Sequence, residues 1–408
     1  MQEIASKGAA MTDTMTSRER LLSVLARRIP DRVPISPDVS MMMPCRYTGK
    51  PYWEVLLNEN PPLWQAHIGL QRRFGYDAII GAGLGSGAGP AFESAGLRVE
   101  REVLSRTADR WVAEERTYTP KGMISQRTVY FSQKSSWIEK PLVTDPESEV
   151  DALLATLTDP WARDAAHMDR VRRAVGENGI ITSGTPVPPA WWLYSRRDLS
   201  VSVLDFYDRR PLVERAMDAY GEWALDYMRA TCEKGRPDLL MFGGSVASMS
   251  VLNPTIYRRY ALPWLQKATA IAKEYGVFTG VHMCGRSRSA LPILAESGID
   301  LLEPLEAPPG GDINLSDVKR EYGNAFVIKG NVNTFDTLSR GTPDDVTREA
   351  RQVIRDAGQM GGLILSTGDQ TSGDTPEENF RALLQTVRDW GIYDSQGRTI
   401  QVRQTVSR

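Results

Sequence analysis

One short stretch concentrates groups able to hold a metal. "GVHMCGRS", residues 280–287, carries His282 and Cys284 with a single methionine between them, in a chain with three histidines and three cysteines. On a strand, side chains two apart share a face. Imidazole and thiolate together suit Zn²⁺, which in catalytic sites takes three protein ligands and keeps one position open. The plainer alternative is a buried histidine bonded to a carbonyl beside an inert core cysteine, and H-x-C alone is too short a pattern to decide. A third ligand must come from another segment. Asp369 in "LILSTGDQT" and Glu303 and Glu306 in "LLEPLEAPP" are the candidates. Each could instead cap a helix or sit solvated in a loop, so all three stay open at this point.

Other residues suggest substrate contacts. "PPAWWLYSRR" (188–197) offers Trp191, Trp192 and Tyr194 as walls for an apolar or aromatic ligand, although core packing is the commoner use of such rings. In "MMMPCRYTGK", Arg46 adjoins Cys45 and could lower its thiol pKa or clamp a substrate carboxylate. The glycine-rich "GAGLGSGAG" (81–89) opens no helix, so it reads as a flexible loop rather than a phosphate cradle. His67 and His167 fall in helical segments and read as structural.

The elements that must position these groups follow from periodicity. "SRERLLSVLARR" from residue 17 has a helix pattern and leads into the strand-like "RVPISPDV". Further apolar runs are "DAIIGAG" (77–83), "GIITSGTP" (179–186), "LLMFGG" (239–244) and "VFTGVHMCG" (277–285), then "LLEPLE" (301–306), "FVIKGNV" (326–332) and "GLILSTG" (362–368). Amphipathic segments such as "NPTIYRRYALPWLQKATAIAKEYG" and "PDDVTREARQVIRDAGQMG" separate the later ones, with Pro254 and Gly276 as boundary signals of the former. Eight short strands linked mostly through helices predict an α/β fold, a (β/α)8 TIM barrel. Residues 97–137, with alternating character and a "TPKG" turn, predict an antiparallel β insertion. The expected organisation is a polar tail over 1–16, one barrel domain over 17–396 including the insertion, and a C-terminal tail over 397–408. Met11 or Met15 could serve as an alternative start. In such barrels chemistry sits at the C-terminal strand ends, where His282, Cys284 and the three carboxylates fall.

Composition sets outer bounds. The 408 residues are 41% hydrophobic and 25% charged, with a net charge of −2. This balance gives no electrostatic reason to expect nucleic acid. No apolar run approaches the ~20 residues of a membrane span, and the start lacks a signal-peptide core. Scattered cysteines fit a reducing compartment, so a cytoplasmic location is expected.

"TSRERLLSVLARRIPDRVPI", "FGYDAII", "NPTIYRRYALPWLQKATAIAKEYGVFTGVHMCGRSRSALPILAESGIDLLEPLE", "GNVNTFDTLSRGTPDDV" and "TPEENFRALLQ" together resemble the uroporphyrinogen decarboxylase superfamily, from about residue 17 to 392. The insertion resembles one seen in part of that superfamily. The resemblance implies a (β/α)8 barrel and offers two functional branches. Decarboxylases carry two arginines in an "RQAGRY" stretch and an essential aspartate after the second strand. Here "MMMPCRY" keeps Arg46 and Tyr47 but has Met42 at the first arginine's place, and "GAGLG" supplies no aspartate. The other branch holds zinc-dependent methyltransferases that exchange methyl groups with a corrinoid protein. Its thiol-specific members carry H-x-C after the fifth strand and a second cysteine after the last. His282 and Cys284 match the pair, while Asp369 stands where the second cysteine would be.

The resemblance therefore implies a zinc enzyme with a His/Cys/Asp site, harder and more Lewis-acidic than His/Cys/Cys and better suited to an ether oxygen than to a thiolate. The expected activity is methyl transfer from a small methyl ether, with an aromatic donor favoured, to a corrinoid (cobalamin) on a separate protein. The chain has no D-x-H-x-x-G corrinoid motif of its own. Arg46 and Tyr194 are the expected catalytic side chains, and Trp191, Trp192 and Arg46 the expected substrate contacts. A homodimer is left open. The rivals are a decarboxylase-like lyase acting on another carboxylated substrate and a barrel that binds a tetrapyrrole or corrinoid partner without chemistry.

Overall fold

The computed structural model describes residues 13–85, 95–193 and 198–401. Seven strands form one parallel sheet: β1 (Ala78–Gly81), then β6 (Gly179–Ser183), β7 (Leu239–Gly243), β8 (Phe278–His282), β9 (Leu301–Glu303), β10 (Val327–Val332) and β11 (Leu363–Thr367), in that spatial order. They are the seven runs after "RVPISPDV". That first run is the exception. Pro34 and Pro37 have no N–H to give a ladder, so no regular strand forms. It still closes the barrel. Ile35 bridges Leu365 in parallel, the Ser36 N–H donates to the Leu365 carbonyl (2.9 Å), and on the other side the Asp77 N–H donates to the Ile35 carbonyl (2.8 Å).

Between β1 and β6 the chain makes a separate four-stranded antiparallel sheet, β2 (Arg98–Arg106), β3 (Arg110–Thr119), β4 (Gly122–Phe131) and β5 (Trp137–Lys140). The expected "TPKG" turn joins β3 to β4, where Thr119 pairs with Gly122. The insertion runs past residue 137 because β5 adds a fourth strand. Trp111 of β3 stacks on Trp53 (centroids 5.3 Å apart) and ties this sheet to the helix Tyr52–Leu56.

Helices return the chain between the parallel strands. The segment expected as one helix from Pro254 splits into Pro254–Tyr260 and Leu262–Glu274. Pro263 is the physical reason, since it lacks the N–H of an interior turn and crowds the carbonyl four residues back. Asn253 caps the first piece by accepting from the Ile256 N–H (2.9 Å), and Gly276 leaves the second at φ +68°.

The helix Ser17–Leu25 closes the N-terminal mouth of the barrel. Its Leu21, Val24 and Leu25 pack on Ile180, Leu239, Leu301, Val327 and Ile364, one from each of five strands. Around it lies a buried ion network. Asp77, fully buried, accepts from Arg20 Nη1 (2.7 Å), Arg32 Nη1 (3.0 Å) and the Ile35 N–H (2.8 Å), while Arg20 also reaches Asp31 and Arg32 reaches Asp13. Residues 13–16 of the expected N-terminal tail are thus engaged, with Thr16 forming a capping box with Glu19. At the other terminus β12 (Ile392–Tyr393) pairs with β13 (Thr399–Ile400), so the start of the expected tail folds against the barrel. Among the described residues no helix is long and apolar enough to cross a membrane.

Candidate metal centre and cavity

β8 delivers His282 at its last position, and Cys284 follows two residues on while the fully buried Met283 turns to the other face. Asp369 lies two residues past the end of β11. Ligand atoms of His282, Cys284 and Asp369 all fall within 4.8 Å of one another, with His282 Nε2 3.7 Å from Asp369 Oδ1. Tetrahedral zinc with bonds of roughly 2.0–2.3 Å needs donor separations of roughly 3.3–3.8 Å, so a small inward movement would complete such a site.

The two glutamates fall outside this group. In the β8–β9 register, His282 stands directly beside Glu303. Glu303 Oε1 is 2.9 Å from His282 Nδ1, and its other oxygen takes the Lys329 ammonium from β10. Both carboxylate oxygens are therefore engaged away from the cysteine. Holding Nδ1 directs Nε2 toward Asp369, the carboxylate–histidine arrangement that fixes the tautomer of metal-binding imidazoles. Glu306 instead accepts the Gly285 N–H (2.5 Å) and braces the turn after Cys284.

Electrostatics agree with this division. Burial opposes ionisation of Glu303, but Lys329 and His282 beside it outweigh burial and bring its pKa down to about 2. For His282 burial disfavours the cation, yet hydrogen bonds to Cys284 and Glu303 and the charges of Glu303 and Asp38 raise its pKa well above the ordinary value. These neighbours favour positive charge on the His282 ring. Burial raises Glu306, with the Asp369 charge adding to the effect against the Gly285 hydrogen bond.

The three donors open into a cavity of about 730 Å³ inside the barrel, reaching down to Leu239 and Leu301 at the strand starts. The other expected substrate residues are placed differently. Trp191 and Trp192, in the helix Pro188–Leu193, are buried core residues that do not line this cavity, and Trp191 stacks on Tyr220 at 4.3 Å. Tyr194 lies outside the described residues. Arg46 also stays off the cavity wall: its guanidinium donates to the carbonyls of Gly373 and Thr375, stapling the loop after Asp369 to the helix Met42–Tyr47. Cys45 is no thiolate, because burial without a compensating charge pushes it up to about 12. Met42, at the place of a decarboxylase arginine, does line the cavity.

Sequence reasoning missed Asp38, His67 and Lys329, all on the cavity wall. Lys329 is signalled by its place as the one charged residue in the strand run "FVIKGNV", since a buried lysine is rarely left unpaired. Asp38 could have been noticed as a carboxylate at the end of the first strand-like run. His67, read as structural, projects from the helix Leu63–Phe74 into the cavity, where burial lowers its pKa to about 4. His167 does pack structurally, edge-on to Trp64.

This arrangement sets a prediction. Asp369→Ala should weaken zinc binding by more than ~100-fold through loss of a donor, and Glu303→Gln by about 10–100-fold through loss of orientation. Competition titration against a chromogenic chelator measures both. Unchanged affinity in Asp369→Ala would assign the third ligand elsewhere.

Comparison with known proteins agrees with this architecture. The uroporphyrinogen decarboxylase (URO-D) family profile matches residues 160–390. The methylcobamide:CoM methyltransferase MtbA of Methanosarcina mazei is 27% identical over 181 residues, covering 44% of this chain and 50% of that protein. A uroporphyrinogen decarboxylase of Thermus thermophilus is 28% identical over 196 residues, covering 48% and 53%. The chain thus spans about half the length of the curated relatives it matches. A solved structure described as a methyltransferase from Methanosarcina mazei superposes with a TM-score of 0.62 at 20% identity, over 92% of this chain and 98% of that one, and shares the fold. The match across residues 160–390, which holds β6 to β11 and all three converging donors, shows that this chain belongs to the uroporphyrinogen decarboxylase (URO-D) family.

Proposed function

We propose that this protein is a zinc-dependent methyltransferase that moves a methyl group from a methyl ether, an aromatic one by preference, to a corrinoid carried by a separate protein. The observation that carries the reading is the convergence of His282, Cys284 and Asp369 at the mouth of an internal cavity. Relatives named as methylcobamide:CoM methyltransferases support the reaction class. In this reading His282, Cys284 and Asp369 hold the ion, Glu303 orients the imidazole, and Lys329 fixes Glu303. A zinc ion held by these residues would supply Lewis acidity to the oxygen that becomes the leaving group as the methyl passes to the corrinoid. An aspartate in place of a second thiolate makes the donor set harder, matching an oxygen leaving group better than a sulfur one. Arg46 secures the loop that follows Asp369.

The direct test mixes zinc-loaded protein with cob(I)alamin and a panel of methyl ethers under anaerobic conditions and follows the visible spectrum. Methylcobalamin should form with at least one ether. Its absence with every donor, while zinc is bound, would overturn the reading.

Decarboxylation of uroporphyrinogen should not occur. That chemistry asks for an anion beneath the pyrrole nitrogens and for cations on the substrate's carboxylates. At the end of β1 this chain has Gly81 and Gly83, Met42 is apolar, and Arg46 is engaged with main-chain carbonyls. Asp77 lies at the opposite mouth, buried between Arg20 and Arg32. Asp38 does put a carboxylate on the cavity wall, but the one described cation there, Lys329, is already paired with Glu303, so nothing meets the substrate's carboxylates. Each missing cation costs ~3 kcal/mol or more in a dry pocket, on the order of a hundredfold in rate. An anaerobic assay for coproporphyrinogen checks this, and turnover at an ordinary enzyme rate would restore the decarboxylase assignment.

A further inference from the structure

The charges around the cavity do not balance, and the excess is negative. A divalent zinc is matched by Asp369 and by Cys284, which binds metal as thiolate. Glu303 is matched by Lys329, the one lysine or arginine among the described residues of the wall. Asp38 remains. Its Oδ1 accepts from the Ser40 N–H (3.0 Å) and the Ser40 hydroxyl (2.5 Å), neutral donors that orient the carboxylate without cancelling it. His67 lies close enough to feel Asp38, yet burial keeps its ring neutral near pH 7. The remaining polar wall groups are uncharged, among them Thr182, Gln370 and Tyr76, whose buried hydroxyl has no hydrogen-bond partner. Arg46, the residue that would hold a substrate carboxylate, faces main-chain carbonyls instead.

From this we propose, on the basis of the methyl-transfer reading, that the donor entering this cavity carries no negative charge, and that Asp38 is the specificity-determining residue that excludes carboxylated or sulfonated donors. A second anion in the same low-dielectric cavity meets a fixed carboxylate, while the charge of an ion at His282 would already be matched by Asp369 and Cys284, so discrimination arises from repulsion rather than from an added contact. A neutral methyl ether avoids that repulsion and finds hydroxyl and amide partners on the wall.

Matched pairs test this without a corrinoid. Isothermal titration of the zinc-loaded full chain would compare 2-methoxyphenol with 4-hydroxy-3-methoxybenzoate, and 2-methoxyethanol with methoxyacetate. In each pair the neutral member should bind at least ~10-fold tighter, and Asp38→Asn should narrow the ratio to about threefold or less, mainly by tightening the anion. A carboxylated member that binds wild type as tightly as its neutral partner overturns the inference whatever the variant does. So does a ratio unchanged in a folded, zinc-replete Asp38→Asn. Methylcobalamin formed from a carboxylated donor at the neutral donor's efficiency would defeat this inference and leave the proposed function standing. Binding with the expected ratio but no methyl transfer from any donor would defeat the function and leave the charge preference. If no member of either pair binds, the methyl-ether donor class falls and this inference falls with it.

Discussion

Cys284→Ser should purify folded but nearly free of zinc, with methyl transfer to cob(I)alamin reduced by at least ~100-fold. Losing an outer partner such as Glu303 typically costs 10–100-fold in metal affinity, and losing a direct donor costs more. Serine keeps the size of cysteine but offers a hydroxyl that does not ionise near neutral pH and is a poor ligand for a borderline-soft ion. The fold should survive because Cys284 lies at the cavity mouth, only half-buried, just beyond the end of β8. Elemental analysis of wild type and variant, with circular dichroism as the folding control, decides the matter. Equal zinc in both proteins, or none in either, would remove the metal from the account of this site. Chelation of the wild type should reproduce the loss of activity, and added Zn²⁺ should restore it.

Asp77→Ala should act at the other end of the barrel and on stability alone. The substitution leaves two guanidinium groups, on side chains only 1% and 4% exposed, without their shared carboxylate. Removing one partner of a buried ion pair typically costs about 3–5 kcal/mol, and because Arg20 keeps Asp31 and Arg32 keeps Asp13 the loss here should fall toward the lower end of that range. The Ile35 N–H also loses its acceptor, on the segment that closes the barrel between β1 and β11. Urea unfolding should show the midpoint falling accordingly while zinc content per folded chain stays at the wild-type level. A loss below about 1 kcal/mol would mean that Asp31 and Asp13 can take over both arginines. Loss of zinc without loss of stability would contradict the separation of the two ends.

Local pattern was sufficient for much of this molecule. The H-x-C spacing at the end of an apolar run marked His282 and Cys284 as a pair, although β8 itself ends at His282, and apolar runs between helical segments located all seven strands of the parallel sheet. The "TPKG" turn and alternating residues around it marked the antiparallel insertion for the same reason, since turn chemistry and period are properties of a few consecutive residues. Tertiary structure alone decided which groups meet. By residue type Asp369, Glu303 and Glu306 were alternatives and only the family resemblance singled out Asp369; the β8–β9 register sets Glu303 against His282 Nδ1 and leaves Nε2 facing Asp369. Trp191 and Trp192 looked like ring contacts but packed into the core, and Arg46 turned to carbonyls more than 300 positions along the chain. Asp38 and His67 share the cavity wall only because barrel closure brings the first strand-like run between β11 and β1. Periodicity is written in neighbouring residues. The partners of a side chain at a strand end depend on register, closure and loop packing, which arise from contacts between distant segments and become definite only when the whole barrel has formed.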